Sequence, residues 1–321
     1  MSFRIIGTGS ALPKTAVTNE ELTRFLDTSD EWIRTRTGIT ERRVMDDSES
    51  LLSLATAACQ NALEMAHTDP DQIQLIVCTT LTGDYISPAL SCLIAKELGL
   101  SHRVITLDTN MGCCGFEYGL QIAHTYFASG VVTKKAIVVS AEALSRHADW
   151  TDRSTCCLFG DASGAVVLEA APDRKIDFDW TVSGNAEVLN ITRHADNSPW
   201  NSYDEKGILH MNGQEVFKFA VSSISARIGA LLEKNRLAAD DIAKFFLHQA
   251  NIRIINSAIH KMGVAPEKFP HNIERLGNTS SATIPVLLDE TVRAGGLQRG
   301  DKIVLCAFGA GLASIACLLE Y

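Results

Sequence analysis

The sequence predicts an α/β fold made of two similar halves, stacked as five α-β-α-β-α layers. Near-continuous apolar runs at residues 75–77 and 135–138 predict buried parallel strands. Segments with apolar residues at helical spacing follow them and predict crossover helices. The runs at 245–247 and 302–305 repeat the first two at a nearly constant offset. The constant offset favours an internal duplication. It does not prove one, because α/β proteins also repeat strand–helix patterns by chance.

The first half is predicted to alternate strands and helices up to a short linker. Turn-forming and capping residues mark most boundaries, as in Thr18-Asn19-Glu20-Glu21 and Thr28-Ser29-Asp30-Glu31. Predicted strands cover residues 4–9, 74–80, 103–107, 135–139 and 165–169, and predicted helices cover 48–65, 88–100 and 116–127.

The second half restarts the pattern after the linker at residues 171–175. We therefore predict a boundary between a domain of residues 1–172 and a domain of residues 173–321. Predicted strands cover 178–184, 245–247 and 302–305, predicted helices cover 215–234 and 251–262, and a further helix opens near 277–281.

Composition and charge exclude several classes of function. The 321 residues are 46% hydrophobic and 21% charged, which is ordinary for a globular protein with a sizeable core. A net charge of -9 argues against non-specific nucleic-acid binding. No apolar run approaches the ~20 residues of a membrane span, and the N-terminus lacks a signal-peptide layout. Nine cysteines without a C-x-x-C pair favour free thiols. We expect a cytoplasmic location and no metal.

The stretch from Leu107 to Leu120 contains the strongest candidate for chemistry. Cys113 lies where a predicted strand turns into a predicted helix, and a helix N-terminus favours the reactive thiolate. Gly112 and Gly115 allow close approach to the sulfur. The alternative is a core cysteine beside a second one, Cys114, because free cysteines are often buried.

Three polar or glycine-rich stretches of the second half are candidates for partners of Cys113. His248 follows the predicted strand 245–247, and ligand sites collect at the carboxyl ends of strands. Asn278 opens a helix at the position equivalent to Cys113. The loop 309–311 follows the last predicted strand. Each has a structural alternative: a buried core histidine, a helix N-cap and a tight turn.

A Cys-His-Asn set in this order fits two chemistries. One is a papain-like thiol hydrolase, in which His and Asn follow Cys along the chain. The local sequence Gly112-Cys113-Cys114-Gly115-Phe116 departs from that signature, and Cys113 lies in the middle of a predicted domain. The other is acyl transfer with carbon–carbon bond formation through a cysteine thioester, which we favour.

Six stretches of the chain have the order and spacing of one known family. They are residues 27–33 with 36–39, residues 108–116, 160–165, 215–218, 248–251 and 277–280. Over essentially its whole length the chain resembles β-ketoacyl-acyl carrier protein synthase III, of the thiolase fold. The resemblance implies a homodimeric acyltransferase that needs no cofactor and that initiates fatty acid synthesis.

The resemblance also implies a mechanism. Cys113 takes the acyl group of acyl-CoA as a thioester, and malonyl-acyl carrier protein (malonyl-ACP) then loses CO2 to give the attacking enolate. His248 and Asn278 would donate hydrogen bonds to the malonyl thioester oxygen. The backbone N–H groups of Cys113 and of the Gly309 to Gly311 loop would form the oxyanion hole.

The resemblance assigns six further residues to the binding of CoA and the carrier protein. One Trp–Arg pair would sandwich adenine, and several residues would surround the tunnel mouth, including a basic patch for the acidic carrier. The sandwiching pair is Trp32 and Arg153, the residues at the mouth are Arg36, Lys218 and Asn251, and the patch is Arg36, Lys218 and Arg253. For each residue, core packing or a solvated surface remains the alternative.

Departures from the family pattern concern the acyl pocket, expected at Ser87, Cys157, Leu158 and Phe217. Ser87 stands where the family places a Phe that caps the pocket from the partner subunit, and Cys157 replaces a branched aliphatic residue. Both changes remove volume from the wall, so we expect a primer longer than acetyl. The alternative functions are a secondary-metabolism homologue with a different acceptor and a catalytically silent partner in a hetero-oligomer.

Overall fold

The structure, a computed structural model, describes residues 2–100, 103–192, 197–198, 201–202 and 207–321. The first half contains β1 (Ser2–Ala11), β2 (Thr15–Thr18), α1 (Asn19–Leu22), α2 (Asp30–Thr37), β3 (Glu41–Val44), α3 (Leu51–Met65), β4 (Ile73–Thr79), α4 (Leu90–Glu97), β5 (Ile105–Thr109), α5 (Gly115–Ala128), β6 (Lys135–Ala143) and β7 (Asp161–Ala171). The second half contains β8 (Asp177–Val182), β9 (Leu189–Ile191), β10 (Asn197–Ser198), β11 (Asn201–Ser202), β12 (Leu209–Met211), α6 (Gly213–Asn235), β13 (Lys244–Leu247), α7 (Ile252–Met262), α8 (Ile273–Leu276), α9 (Thr283–Arg293), β14 (Lys302–Gly309) and β15 (Ala313–Glu320).

Two large sheets share one topology. The first has the order β1-β7-β6-β4-β5, and the second has the order β8-β15-β14-β13. In each sheet, the first two strands in this order pair antiparallel. The pairs β6–β4 and β14–β13 are parallel. The strands correspond one to one apart from β5, so the duplication expected from the sequence is present in the backbone. The proposed boundary between residues 172 and 173 lies in the turn between β7 and β8.

Helices α5 and α9 form the central layer between the two sheets. Phe116 and Leu120 of α5 and Leu288 of α9 pack in one buried cluster with Val138 of the first sheet and Leu305 of the second. Helix α3 covers the outer face of the first sheet, and α6 covers the outer face of the second. The order of layers is therefore α-β-α-β-α, and the burial of both faces explains why the central strands read as unbroken apolar runs.

The ends of some elements differ from the sequence prediction. Helix α4 begins at Leu90, two residues after the predicted start, because the Asp108 carboxylate accepts the Leu90 and Ser91 amides at 2.6 and 2.9 Å. A cap supplied by another strand has no local signal in the sequence. The short strands β9 and β12 were not predicted. Among the described residues, no helix is long and apolar enough to cross a membrane.

Candidate active site

Cys113 lies in a one-turn 3₁₀ helix, Gly112–Cys114, between β5 and the first residue of α5. Gly112 has a φ of 51°, in the left-handed region that favours glycine. At Gly309, an added Cβ would lie 2.9 Å from the Cys113 Cβ, so only glycine fits beside the cysteine. Cys113 lines a cavity of about 1090 Å³, and this opening accounts for its partial exposure.

Burial is the main influence on the Cys113 thiol. It raises the pKa of the thiol to about 12, while a hydrogen bond with the Ser280 side chain lowers it. The resting thiol is therefore protonated, although the helix N-terminus favours the thiolate. Nucleophilic attack by this sulfur would therefore require a proton acceptor near it.

His248 follows β13 and presents one edge of its ring to the cavity. Its side chain is only 1% exposed, and burial lowers the pKa of the imidazole to about 3, so the ring is neutral at physiological pH. Nδ1 lies 2.7 Å from the Thr283 hydroxyl, and Phe308 packs against the ring at a centroid distance of 5.2 Å. Nε2 is consequently the nitrogen that is left for the cavity.

Asn278 is fixed by its backbone and by its own side chain. Its N–H donates to the Leu158 carbonyl at 2.8 Å, and its carbonyl accepts the Gly160 N–H at 3.1 Å. Its Oδ1 accepts the Ser280 N–H at 2.9 Å. Because the side-chain oxygen is occupied, the Nδ2 amide is available to donate into the cavity.

The second half reproduces the turn that carries Cys113. A 3₁₀ turn, Ser280–Ala282, leads into α9 as Gly112–Cys114 leads into α5, and the two turns pack against each other. Cys113, His248 and Asn278 all line the same cavity. The three predicted catalytic groups therefore come together at the junction of the two halves.

Trp32 and its neighbours lie at one end of this cavity. The Arg36 guanidinium lies 4.5 Å from the centroid of the Trp32 ring, and the Arg153 guanidinium lies 5.1 Å from it. Arg153 also donates to the Asp27 carbonyl and does not itself line the cavity. A nucleobase could enter between Trp32 and Arg153 only if Arg153 moved away from the indole.

The remaining residues expected at the mouth lie on α6, on α7 and just before α7. Asn251 caps α7, accepts the Arg253 N–H at 2.9 Å and donates to the Arg36 carbonyl at 3.0 Å. Arg36, Lys218 and Arg253 are exposed and line the cavity. Lys218 also pairs with Glu215 at 2.8 Å. The mouth is therefore rimmed by three cationic side chains.

The predicted acyl-pocket and oxyanion residues separate into two groups. Cys157, Leu158 and Phe217 line the cavity, as does Gly309. Ser87 is exposed, and it does not line the cavity of its own chain, although its neighbour Ile86 does. Gly311 does not line the cavity either. The part of the cavity wall beside Cys113 is formed by Gly309 and Ala310.

Sequence reasoning missed one wall of the cavity. It is made of apolar side chains from β9 and β12, which pair antiparallel, together with residues near β6 and β7. These residues are Leu144, Phe159, Leu189, Ile191, Leu209 and Met211. The available signal was the pair of short apolar segments on either side of residues 193–206, which no single motif marks.

Two family models match parts of the chain. The model described as 3-oxoacyl-[acyl-carrier-protein (ACP)] synthase III matches residues 107–184, and the model of the C-terminal part of the same enzyme matches residues 232–321. The first covers the turn of Cys113, and the second covers His248 and Asn278.

Whole-length relatives agree with these models. The β-ketoacyl-[acyl-carrier-protein] synthase III of Aquifex aeolicus is 41% identical over 321 residues, with 100% of both chains covered. That of Alkalilimnicola ehrlichii is 40% identical over 336 residues, also with 100% of both covered.

Solved structures share the fold. The Aquifex aeolicus synthase III has a TM-score of 0.91 at 40% identity, covering 99% of this chain and 100% of its own. The priming β-ketosynthase of the R1128 polyketide pathway has a TM-score of 0.92 at 34% identity, covering 99% and 96%. The predicted thiolase-like, duplicated five-layer α/β architecture is confirmed. The chain belongs to the 3-oxoacyl-[acyl-carrier-protein] synthase III family of condensing enzymes.

Proposed function

We propose that the chain loads an acyl group from acyl-CoA onto Cys113 and condenses it with malonyl-ACP to give β-ketoacyl-ACP. The observation that carries this proposal is the convergence of three groups on one cavity. They are the Cys113 thiol, the His248 imidazole and the Asn278 amide, each held by the contacts described above. A nucleophile and two hydrogen-bond donors are what acyl loading and decarboxylative condensation require.

The condensation step depends on which nitrogen of His248 carries the proton. The Thr283 hydroxyl lies 3.0 Å from the Ser280 carbonyl, to which it can donate, and 2.7 Å from Nδ1 of His248. In the proposed tautomer the hydroxyl donates its one proton to Nδ1, and the Ser280 carbonyl keeps the Thr283 N–H as its donor. Nε2–H then points into the cavity as a donor. With Nδ2 of Asn278 it would stabilise the enolate oxygen that forms when malonyl loses CO2.

The loading step places the acyl carbonyl oxygen near backbone N–H groups. Cys113 and Gly309 are the candidates for this oxyanion hole, since they contact each other and line the cavity. In this proposal, the cationic rim of Arg36, Lys218 and Arg253 attracts the phosphates of CoA and the acidic carrier protein. We also propose that the chain forms a homodimer and works in the cytoplasm.

The cavity supports a primer longer than acetyl. Its volume of about 1090 Å³ includes the end at Trp32 and Arg36, which this proposal assigns to CoA, so the support for a longer primer comes from the apolar lining. The apolar wall from β9 and β12 lines the same cavity as Cys113 and would contact the methylene groups of a medium acyl chain. A Ser at position 87 would leave that end without an aromatic cap from the partner subunit.

A second candidate function is priming in a secondary-metabolism pathway with a different acceptor. The likeness to the R1128 priming β-ketosynthase, at 34% identity over 99% of this chain, supports the pathway class, and the different acceptor is our proposal. The two functions share acyl loading and differ in the acceptor.

Intact-mass spectrometry after incubation with a series of acyl-CoA thioesters tests the proposal. We expect one acyl adduct, strongest with chains longer than acetyl, that disappears in Cys113→Ala and persists in the matched variant Cys114→Ala. Strong preference for acetyl-CoA would contradict the wide pocket. Absence of any adduct would contradict the function and would favour a catalytically silent partner.

A further inference from the structure

Arg42, on β3, is a fully buried side chain that the proposed mechanism leaves without a role. Its guanidinium donates to the Val17 carbonyl at 3.0 Å, to Asn19 Oδ1 at 2.8 Å and to the Cys157 carbonyl at 2.7 Å. The group stays charged, because burial lowers the pKa of Arg42 only to about 10. A buried charge that is held by neutral acceptors is costly, which points to a role beyond packing.

One acceptor of Arg42 belongs to the segment 157–160, which pairs with Asn278. The Leu158 carbonyl accepts the Asn278 N–H at 2.8 Å, and the Asn278 carbonyl accepts the Gly160 N–H at 3.1 Å. Leu158 directly follows the residue whose carbonyl accepts from Arg42. The guanidinium therefore holds the start of the segment on which the backbone of Asn278 depends.

The stem of Arg42 packs against the same place. An added Cβ at Gly160 would lie 3.2 Å from the Arg42 Cβ, and an added Cβ at Gly277, the residue before Asn278, would lie 3.5 Å from it. Both glycines bring their backbones close to the Arg42 side chain because they lack a Cβ. Arg42 consequently supports both chain segments that meet at Asn278.

A second support reaches Asn278 from the other side. The Ser280 N–H donates to Asn278 Oδ1 at 2.9 Å, and the Ser280 hydroxyl donates at 3.2 Å to Oε1 of Glu142, a buried carboxyl at the end of β6. This support fixes the side-chain oxygen, whereas Arg42 fixes the backbone. Because the second support does not involve Arg42, loss of Arg42 should shift Asn278 without releasing it.

We propose that Arg42 is a positioning residue for Asn278, which it keeps where the enolate oxygen forms by holding segment 157–160. This inference rests on the proposed function, in which Asn278 serves the condensation step. Arginine suits the task because its planar, fixed fork of donors can reach three acceptors at once. A displacement of about 1 Å by a residue far from the chemistry can cost about 10²-fold in rate.

The rival route for an effect of Arg42 runs through α2, the helix that carries Trp32. Asn19 donates to the carboxylate of Asp30, the first residue of α2, at 2.9 Å. This helix has its own cap, however, because the Ser29 hydroxyl accepts the Trp32 N–H at 3.1 Å. A route through α2 predicts weaker binding of acyl-CoA, whereas our proposal predicts slower condensation.

The test compares Arg42→Lys with the matched control Arg43→Lys on the same strand. Loading from a medium-chain acyl-CoA is followed by intact mass, and condensation of the isolated acyl-enzyme is followed by CO2 release from malonyl-ACP. Lysine keeps the charge but not the fork, so Arg42→Lys should load within about threefold of wild type and condense about 10²-fold more slowly. Arg43 donates only to the Pro13 and Lys14 carbonyls among the described residues, so its variant should match wild type in both steps.

A double-mutant cycle shows whether Arg42 acts through Asn278. In Asn278→Asp the amide donor is already lost, so adding Arg42→Lys should slow condensation by less than about threefold further. Independent structural losses would multiply instead. Losses that multiply would overturn the proposal, as would a raised KM for acyl-CoA with unchanged condensation, or equal loss of loading and condensation in Arg42→Lys.

Arg42→Met, which keeps an unbranched side chain and removes the charge, is the second variant if Arg42→Lys does not fold. The same results are expected from it. Failure of both variants to fold would make Arg42 a residue of the fold alone and would overturn the proposal. Absence of condensation by the wild-type acyl-enzyme would overturn the proposed function together with this inference, whereas normal wild-type condensation leaves the Arg42 variants to decide the inference alone.

Discussion

The backbone of Gly309 lies against Cys113, with room for a hydrogen atom and not for a methyl group. A Cβ at Gly309 would lie 2.9 Å from the Cys113 Cβ and 3.1 Å from its backbone nitrogen. Gly309→Ala should therefore displace the cysteine and its N–H, and should slow acyl loading by about 10²-fold, as for loss of an oxyanion donor. The loading rate can be measured by quenching the reaction at successive times and determining the intact mass of the protein.

The matched control is Gly229→Ala in α6, where an added Cβ meets no atom within 4 Å. It should load at the wild-type rate with equal or higher thermal stability. A Gly309→Ala enzyme that loads as fast as wild type would show that the contact does not matter for the reaction.

Asn278 should affect condensation more than loading. In Asn278→Asp, an oxygen can still accept the Ser280 N–H, but the Nδ2 donor is lost. We expect the condensation rate with malonyl-ACP to fall by roughly 10²–10³-fold, with acyl loading changed far less. Parallel assays of adduct formation and CO2 release would separate the steps. Equal loss in both would place Asn278 in the general architecture of the site instead.

The Thr283 hydroxyl should set the tautomer of His248. Thr283→Val keeps the shape but removes the group 2.7 Å from Nδ1, so condensation should fall by about tenfold or more. Thr283→Ser restores a hydroxyl and should recover most of the rate. CO2 release from malonyl-ACP is the measurement, and a Val variant as active as the Ser variant would refute the role.

Glu117 on α5 should make stability depend on pH. Its carboxyl is fully buried, and both of its oxygens are without a partner in the described part of the chain. Burial raises the pKa of Glu117 to about 8 from an ordinary value of 4.5. Above pH 4.5 the unfolded chain loses this proton while the folded chain keeps it. The free energy of unfolding is therefore highest below pH 4.5 and falls as the pH rises towards 8, by up to about 1.4 kcal/mol per pH unit.

Glu117→Gln removes this titration. Denaturant unfolding should show the variant gaining on wild type between about pH 5 and 8. The exposed substitution Glu64→Gln, on α3, serves as control and should follow the wild-type curve. A constant difference between Glu117→Gln and wild type across this pH range would mean that the carboxyl does not titrate there.

The sequence sufficed for the parts of the fold that depend on local pattern. The turn at Cys113 follows from an apolar strand, a glycine and a helical repeat that are adjacent in the chain. The duplication was visible because both halves bury their central strands on both faces. The sites of Asn278 and His248 followed from the same strand and helix ends, while their assigned roles came from the family resemblance.

What the sequence could not give depends on contacts between distant segments. Glu142 and Ser280 are 138 residues apart, and neither belongs to a pattern that predicts the other. The Asp108 cap of α4 and the pocket wall from β9 and β12 are of the same kind. Ser87 and Gly311 were placed by family position alone, and in this chain they lie outside the cavity lining.

The most direct test of the account uses the isolated acyl-enzyme. Wild-type protein loaded with a medium-chain acyl-CoA, freed of CoA and then mixed with malonyl-ACP should release one CO2 per acyl group. The acyl chain should leave Cys113 and appear on the carrier protein, extended by two carbons as a β-ketoacyl thioester. Acyl groups that stay on Cys113, or that leave as free acid without CO2, would contradict the proposed condensation.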